Sequence, residues 1–223
     1  VGVGHSTPLQ SPGCPHSPLT GDRRLTTFSS QHLRPVSVLA IAGSLRAGSY
    51  NRALMRAAIE IKPLEMSVKE FDLRSIPFYD GDVEAQGDPQ AVTAMKSAIS
   101  AADGVLIATP EYHHSIPGVL KNALDWAGRD TKGRGAATCC LAGKPVGIMG
   151  TGGMAGTARA QLHLRQVLAE TRSFVMVQPT ALVPFARQKF DAQLKLTDDA
   201  VKQQLADFMK ALADWTRRMM PVR

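Results

Sequence analysis

No apolar run in the chain reaches the ~18 residues that a membrane-spanning helix needs, so no membrane partner is expected. Cysteine is scarce, limited to Cys14, Cys139 and Cys140. An odd count with two neighbours adjacent supplies neither a disulfide framework nor the paired spacing of a zinc site. A reducing, cytoplasmic setting without a bound metal is the expectation. Aromatic residues are only 5% of the sequence. The net charge of +7 and pI near 9.6 raise the question of nucleic acid. However, Lys and Arg are scattered, and no basic stripe alternates with stacking rings. A solvated basic surface that attracts anionic substrates fits better, with no nucleic-acid partner.

Residues 1–34 are rich in Pro, Ser, Thr and Gly and lack helical or strand periodicity. They read as a disordered tail, without the apolar centre of a secretory signal. From Pro35 the pattern changes, and one folded domain is expected over residues 35–218.

Val36–Ala42 is almost wholly apolar and ends at Gly43, as a strand buried on both faces does. A helix is expected from Tyr50 to Ile61, with Leu54, Ala58 and Ile61 facing the core. An alternating strand over 66–72 suits a position nearer the sheet edge. Asp88 is the expected cap of the next helix, with Pro89 at its first position. A buried strand over 104–109 follows, then a helix from Pro117. A strand over 144–149 precedes a helix over 154–170. A fifth strand region runs from Ser173 past Pro179 to Val183. The final helix is expected to be capped by Thr197, with Val201, Leu205, Phe208, Leu212 and Trp215 as its buried stripe. This alternation implies a doubly wound parallel sheet with helices on both faces. Ligands of such sheets sit beyond the carboxyl ends of the strands.

Three strand-end loops are therefore informative. The first, GSLRAGSYN (43–51), offers hydroxyls, an amide, a guanidinium and backbone N–H groups at a helix N-terminus, a nest for a phosphate dianion. It is neither a Walker A loop nor the Gly-x-Gly-x-x-Gly dinucleotide loop. The second loop holds Pro110, Glu111, Tyr112, His113 and His114. Its backbone amides and Tyr112 suit the edge and face of a flat heterocycle. In the third loop the glycines from Gly150 to Gly156 allow close approach of backbone to a ligand. A phosphate plus a flat ring is the shape of flavin mononucleotide (FMN).

Together GSLRAGSYN (43–51), TPEYHHSIPGVLKNALDW (109–126) and GTARAQLHLRQ (156–166) resemble the NADPH-dependent FMN reductase family. The resemblance implies a flavodoxin-like three-layer α/β sandwich. Its sheet has five parallel strands in the order 2-1-3-4-5. FMN is implied as bound cofactor and NADPH or NADH as co-substrate. The implied activity is two-electron, ping-pong hydride transfer to a small acceptor: a quinone, azo dye, chromate or flavin. By motif match, Ser44, Arg46, Ser49, Tyr50 and Asn51 hold the FMN phosphate. Pro110, Glu111, Tyr112 and His113 border the ring, and Thr151, Gly152 and Gly153 approach its other side. Many relatives carry Asn where His113 stands. No catalytic side chain is implied, because the chemistry belongs to the cofactor. A homodimer or homotetramer is also implied. The alternative is a flavodoxin-type electron carrier that does not oxidise NAD(P)H. Such carriers are typically acidic, which the charge of +7 argues against.

Overall fold

The computed structural model describes residues 34–130 and 138–220, together with residue 2. The expected tail over 1–34 lies almost entirely outside the described residues. Residues 34–130 and 138–220 belong to one compact unit.

A parallel sheet forms the centre. In chain order its strands are β1 (Val36–Ala42), β2 (Met66–Phe71), β3 (Gly104–Ala108), β4 (Pro145–Thr151), β5 (Phe174–Val175) and β6 (Ala181–Val183). They lie in the order β2-β1-β3-β4-β5, with β6 also paired to β4. The helices are α1 (Tyr50–Glu60), α2 (Gly81–Ala85), α3 (Gln90–Ala101), α4 (Gly118–Ala127), α5 (Ala158–Glu170) and α6 (Asp199–Met219).

The apolar strands are buried on both sides because successive side chains point to opposite faces. In β1 and β3, Val38, Ala40, Leu106 and Ala108 join the core beneath α1 and α6. Leu39, Ile41, Val105 and Ile107 join the opposite core, beneath α3, α4 and α5. Each of the Val, Leu and Ile side chains contributes roughly 1.5–3 kcal/mol on burial. The β1–β3 register, with Ile41 opposite Ile107 and Ala42 opposite Ala108, brings the two strand ends level. Gly43 then donates its N–H to the Ala108 carbonyl at 2.8 Å, which ties the first loop to the strand that feeds the second.

Several element boundaries differ from the sequence expectation. Pro89, not Asp88, occupies the cap of α3. The Asp88 carboxylate instead accepts the Lys96 ammonium at 2.8 Å. Asp198 rather than Thr197 caps α6, accepting the Val201 N–H at 2.9 Å. Thr197 is drawn away because its hydroxyl donates to the Lys189 carbonyl. Helix α5 starts at Ala158 and not near Met154, because Gly156 takes φ +60° in a turn closed by its N–H on the Gly153 carbonyl. The fifth strand region is split into β5 and β6, both paired to β4. Pro179, which has no N–H for a ladder, lies in the interruption. Helix α2, within an expected loop, is capped by Asp80, whose carboxylate accepts the Asp82 N–H at 2.8 Å. Trp215 is only half-buried on α6, and its indole N–H donates to the Phe174 carbonyl.

Candidate functional site

The carboxyl ends of β1, β3, β4 and β6 enclose a cavity of about 430 Å³. Ser44, Arg46, Ser49, Tyr50 and Asn51 line it from the loop after β1. Pro110, Glu111 and Tyr112 line it from the loop after β3, and Thr151, Gly152 and Gly153 from the end of β4. The sequence-derived residues therefore converge on one crevice, with one exception. His113 stands outside the lining, exposed at the tip of a hairpin in which Tyr112 and Ser115 exchange N–H···O bonds at 3.0 Å. His113 and His114 both adopt left-handed backbone there, with φ 49° and 63°. Asn and Gly suit that conformation better than His does.

The first loop combines a helix N-terminus with buried hydroxyls. Ser49 caps α1, its Oγ accepting the Arg52 N–H at 3.3 Å. The Tyr50 and Asn51 N–H groups, in the first turn of α1, have no acceptor among the described residues. Ser44 is buried, and its Oγ accepts the Arg46 N–H at 3.4 Å. The Arg46 guanidinium is exposed and folds back over Gly48. A strut from the end of β2 braces this loop. Arg74 donates to the Leu45 carbonyl at 2.7 Å while pairing with Asp72.

Asn51 binds protein on both sides of its amide. It donates to the Thr151 carbonyl and accepts the Thr151 N–H, each at 2.9 Å. Its primary contacts thus weld the first loop to the third, leaving one side-chain N–H for a ligand. Thr151 in turn donates its hydroxyl to the Val183 carbonyl at 2.9 Å.

Glu111 also works within the protein. Thr157, at the cap position of α5, makes no capping bond. The Glu111 carboxylate takes its place, accepting the N–H groups of Arg159 at 2.9 Å and Ala160 at 3.1 Å. It also meets the Arg159 guanidinium at 3.4 Å and the His114 ring at 3.3 Å. Burial alone pushes its pKa up. The Ala160 N–H, the His114 ring and the two Arg159 donors outweigh that effect and hold the carboxyl below its ordinary value. Tyr112, by contrast, is half exposed and its ring borders the crevice.

The third loop has little side-chain bulk. A Cβ built on Gly153 meets no heavy atom within 4 Å, so any side chain there would enter open space at the crevice. One built on Gly150 would stand 2.1 Å from the Thr157 Oγ.

Sequence reasoning missed the fourth wall, made by Phe185, Ala186, Arg187 and Gln188 after β6. Only the general rule that strand ends carry ligands pointed to them. That signal required β6 to be recognised as a separate strand against β4. Among the described residues no cluster of His, Cys, Asp or Glu is suited to a metal ion. Nor is any helix long and apolar enough to cross a membrane. Cys139 and Cys140 are free thiols away from this cavity. Burial pushes the Cys140 thiol up to about 12.

Comparison with known proteins gives a consistent family. Residues 36–188 match the NADPH-dependent FMN reductase family. An NAD(P)H-dependent FMN reductase of Pseudomonas aeruginosa is 43% identical over 185 residues, covering 82% of this chain and 97% of that protein. A quinone reductase of Escherichia coli is 37% identical over 188 residues, with 82% and 97% covered. Among solved structures, the flavoenzyme NAD(P)H:(acceptor) oxidoreductase FerB of Paracoccus denitrificans superposes with a TM-score of 0.73 at 31% identity. That match covers 82% of this chain and 98% of FerB.

Proposed function

The chain belongs to the NADPH-dependent FMN reductase family, whose members are oxidoreductases using FMN and NAD(P)H, and from that premise we propose that it is an NAD(P)H:quinone oxidoreductase whose reaction takes place in the 430 Å³ crevice. The single observation that carries this reading is the convergence of a phosphate-suited helix N-terminus, an aromatic-edged loop and a glycine-lined wall on one cavity.

The residues present fit FMN. The Tyr50 and Asn51 N–H groups, the Ser44 hydroxyl and the Arg46 guanidinium suit a phosphate dianion. Gly153 leaves open the space that a side chain would fill. Pro110, Glu111 and Tyr112 suit the ring edge, and Gly152 and Gly153 its other side. When bound, FMN supplies a hydride acceptor for reduced nicotinamide and a two-electron donor for the quinone.

The protein's own part is to bind, orient and keep one face open. The Asn51–Thr151 bonds hold the phosphate loop and the glycine loop at a fixed separation. Glu111 holds the second loop against α5. Arg46 and Arg187 bring positive charge to the lining, which favours the phosphates of both FMN and NAD(P)H. His113 has no ring contact in this scheme. Its backbone turn lies within the hairpin that pairs Tyr112 with Ser115.

The proposal extends to the setting. Exposed Met154 and Leu162 leave apolar surface that a second copy of the chain would cover, giving a homodimer or homotetramer. A cytoplasmic location agrees with the free thiols. The folded domain is proposed to span residues 35–218.

A visible spectrum followed by titration tests the function. The purified protein should show flavin absorbance that NADPH bleaches and benzoquinone restores. A protein that binds FMN but is not bleached by NADPH or NADH would be an electron carrier instead.

A further inference from the structure

Phe185 stands apart among the residues of the crevice. Its backbone lies in the left-handed region at φ 54°, where a bulky side chain is a genuine outlier. Among the described residues, the other left-handed non-glycine positions are the His113–His114 hairpin, Arg172 after α5 and Leu194 in a turn, and of these and Phe185 only Phe185 lines the crevice. Two bonds into the glycine loop enforce its conformation. The Phe185 N–H donates to the Gly153 carbonyl at 3.0 Å, and the Ala186 N–H donates to the Gly152 carbonyl at 2.9 Å. The Phe185 carbonyl then accepts the Gln188 N–H at 2.9 Å. The ring takes no part in the packed cores. It is 48% exposed and stacks on no other aromatic among the described residues.

A glycine would satisfy this backbone without strain, and a polar side chain would satisfy the solvent. A large apolar ring held in a disfavoured conformation, half in water and bordering a ligand cavity, is placed for contact with something that enters. Tyr112, 50% exposed, presents a second ring on the lining from the loop after β3. Two aromatic residues and two glycines in one lining select by shape and by stacking. They favour a flat, apolar ring and do nothing for a compact, strongly hydrated anion.

We propose that Phe185 is a specificity-determining residue that selects planar, conjugated ring acceptors, quinones above all, over small inorganic oxidants. This inference rests on the quinone-reductase reading and refines it. Ferricyanide is the comparison oxidant because it takes one electron at a time and needs no stacked docking. Reoxidation consumes either one benzoquinone, which takes a hydride and a proton to become hydroquinone, or two ferricyanides, which take one electron each.

The test is stopped-flow reoxidation of dithionite-reduced holoenzyme, so that nicotinamide binding does not enter. Wild type, Phe185→Ala and Phe185→Gly are compared with benzoquinone and with ferricyanide, and FMN content is measured for each. Both variants should lose about three- to tenfold in the second-order rate with benzoquinone, the scale of one aromatic contact. Ferricyanide rates and FMN content should stay within about twofold of wild type. Phe185→Gly should also melt no lower than wild type, since it removes the backbone strain. Equal losses with both oxidants, loss of FMN, or unchanged benzoquinone rates would each overturn the assignment. A wild-type holoenzyme that benzoquinone cannot reoxidise would instead refute the quinone reading on which the assignment rests.

Discussion

Replacing Glu111 by Ala should destabilise the protein more than a mostly polar loop position suggests. The carboxylate substitutes for the missing cap of α5, taking the Arg159 and Ala160 N–H groups at 2.9 and 3.1 Å. Losing a helix cap costs about 0.5–2 kcal/mol. The favourable placement of a negative charge at a helix N-terminus adds about 0.3–1 kcal/mol. The side chain is only 11% exposed, so water cannot fully replace the lost bonds. A total of about 2 kcal/mol follows, or roughly 4–8 °C in Tm for a domain of this size. Glu111→Gln, which keeps an oxygen acceptor, should lose about half as much. The pH dependence gives a sharper check. The Glu111 pKa is lower in the folded state than its ordinary value of 4.5. Its stabilisation is therefore complete above the unfolded pKa and drains away as pH falls through the folded one. Urea unfolding of wild type and Glu111→Gln should show a constant gap near neutrality that narrows under acid. A difference in Tm below about 1 °C, or a gap indifferent to acid, would refute the capping role.

Three further outcomes follow from the same geometry. Arg46→Ala should weaken FMN binding by about 1–2 kcal/mol in a calorimetric titration, the lower part of the charge-assisted range because the guanidinium is exposed. Asn51→Ala should cost about 2–3 kcal/mol of stability by leaving the buried Thr151 N–H and carbonyl unpaired. Hydrogen exchange at the Thr151 amide should accelerate in parallel. Gly150→Ala should lower Tm severely, by about 3 kcal/mol of stability or more, because its Cβ would lie 2.1 Å from the Thr157 Oγ and 2.4 Å from the Thr109 carbonyl.

What the sequence revealed and what it hid have physical causes. The β1 and β3 strands were legible because both faces are covered, so nearly every residue is apolar and no alternation confuses the pattern. The sheet order was legible only through the family resemblance, since strand neighbours are set by tertiary contacts. Helix ends were less secure. At α6, Thr197 and Asp198 are both good caps, and a distant carbonyl of Lys189 decided between them. The site residues were identifiable by type and by position after strands, yet their bonding was not. Asn51 and Glu111 line the crevice as expected by position, and their side chains also bond Thr151 and α5. Those partners lie 100 and about 48 residues away. Phe185 was invisible for a related reason. Only the pairing of β6 with β4, across a chain interrupted at Pro179, carries it to the crevice.

Calorimetric titration of the apoprotein with FMN and with riboflavin, which lacks the phosphate, tests the central claim most directly. If the loop after β1 grips the phosphate, two charge-assisted bonds of about 1.5 kcal/mol each make FMN the tighter ligand by roughly 100-fold or more. Equal affinities for the two flavins, or no heat with either, would contradict the account.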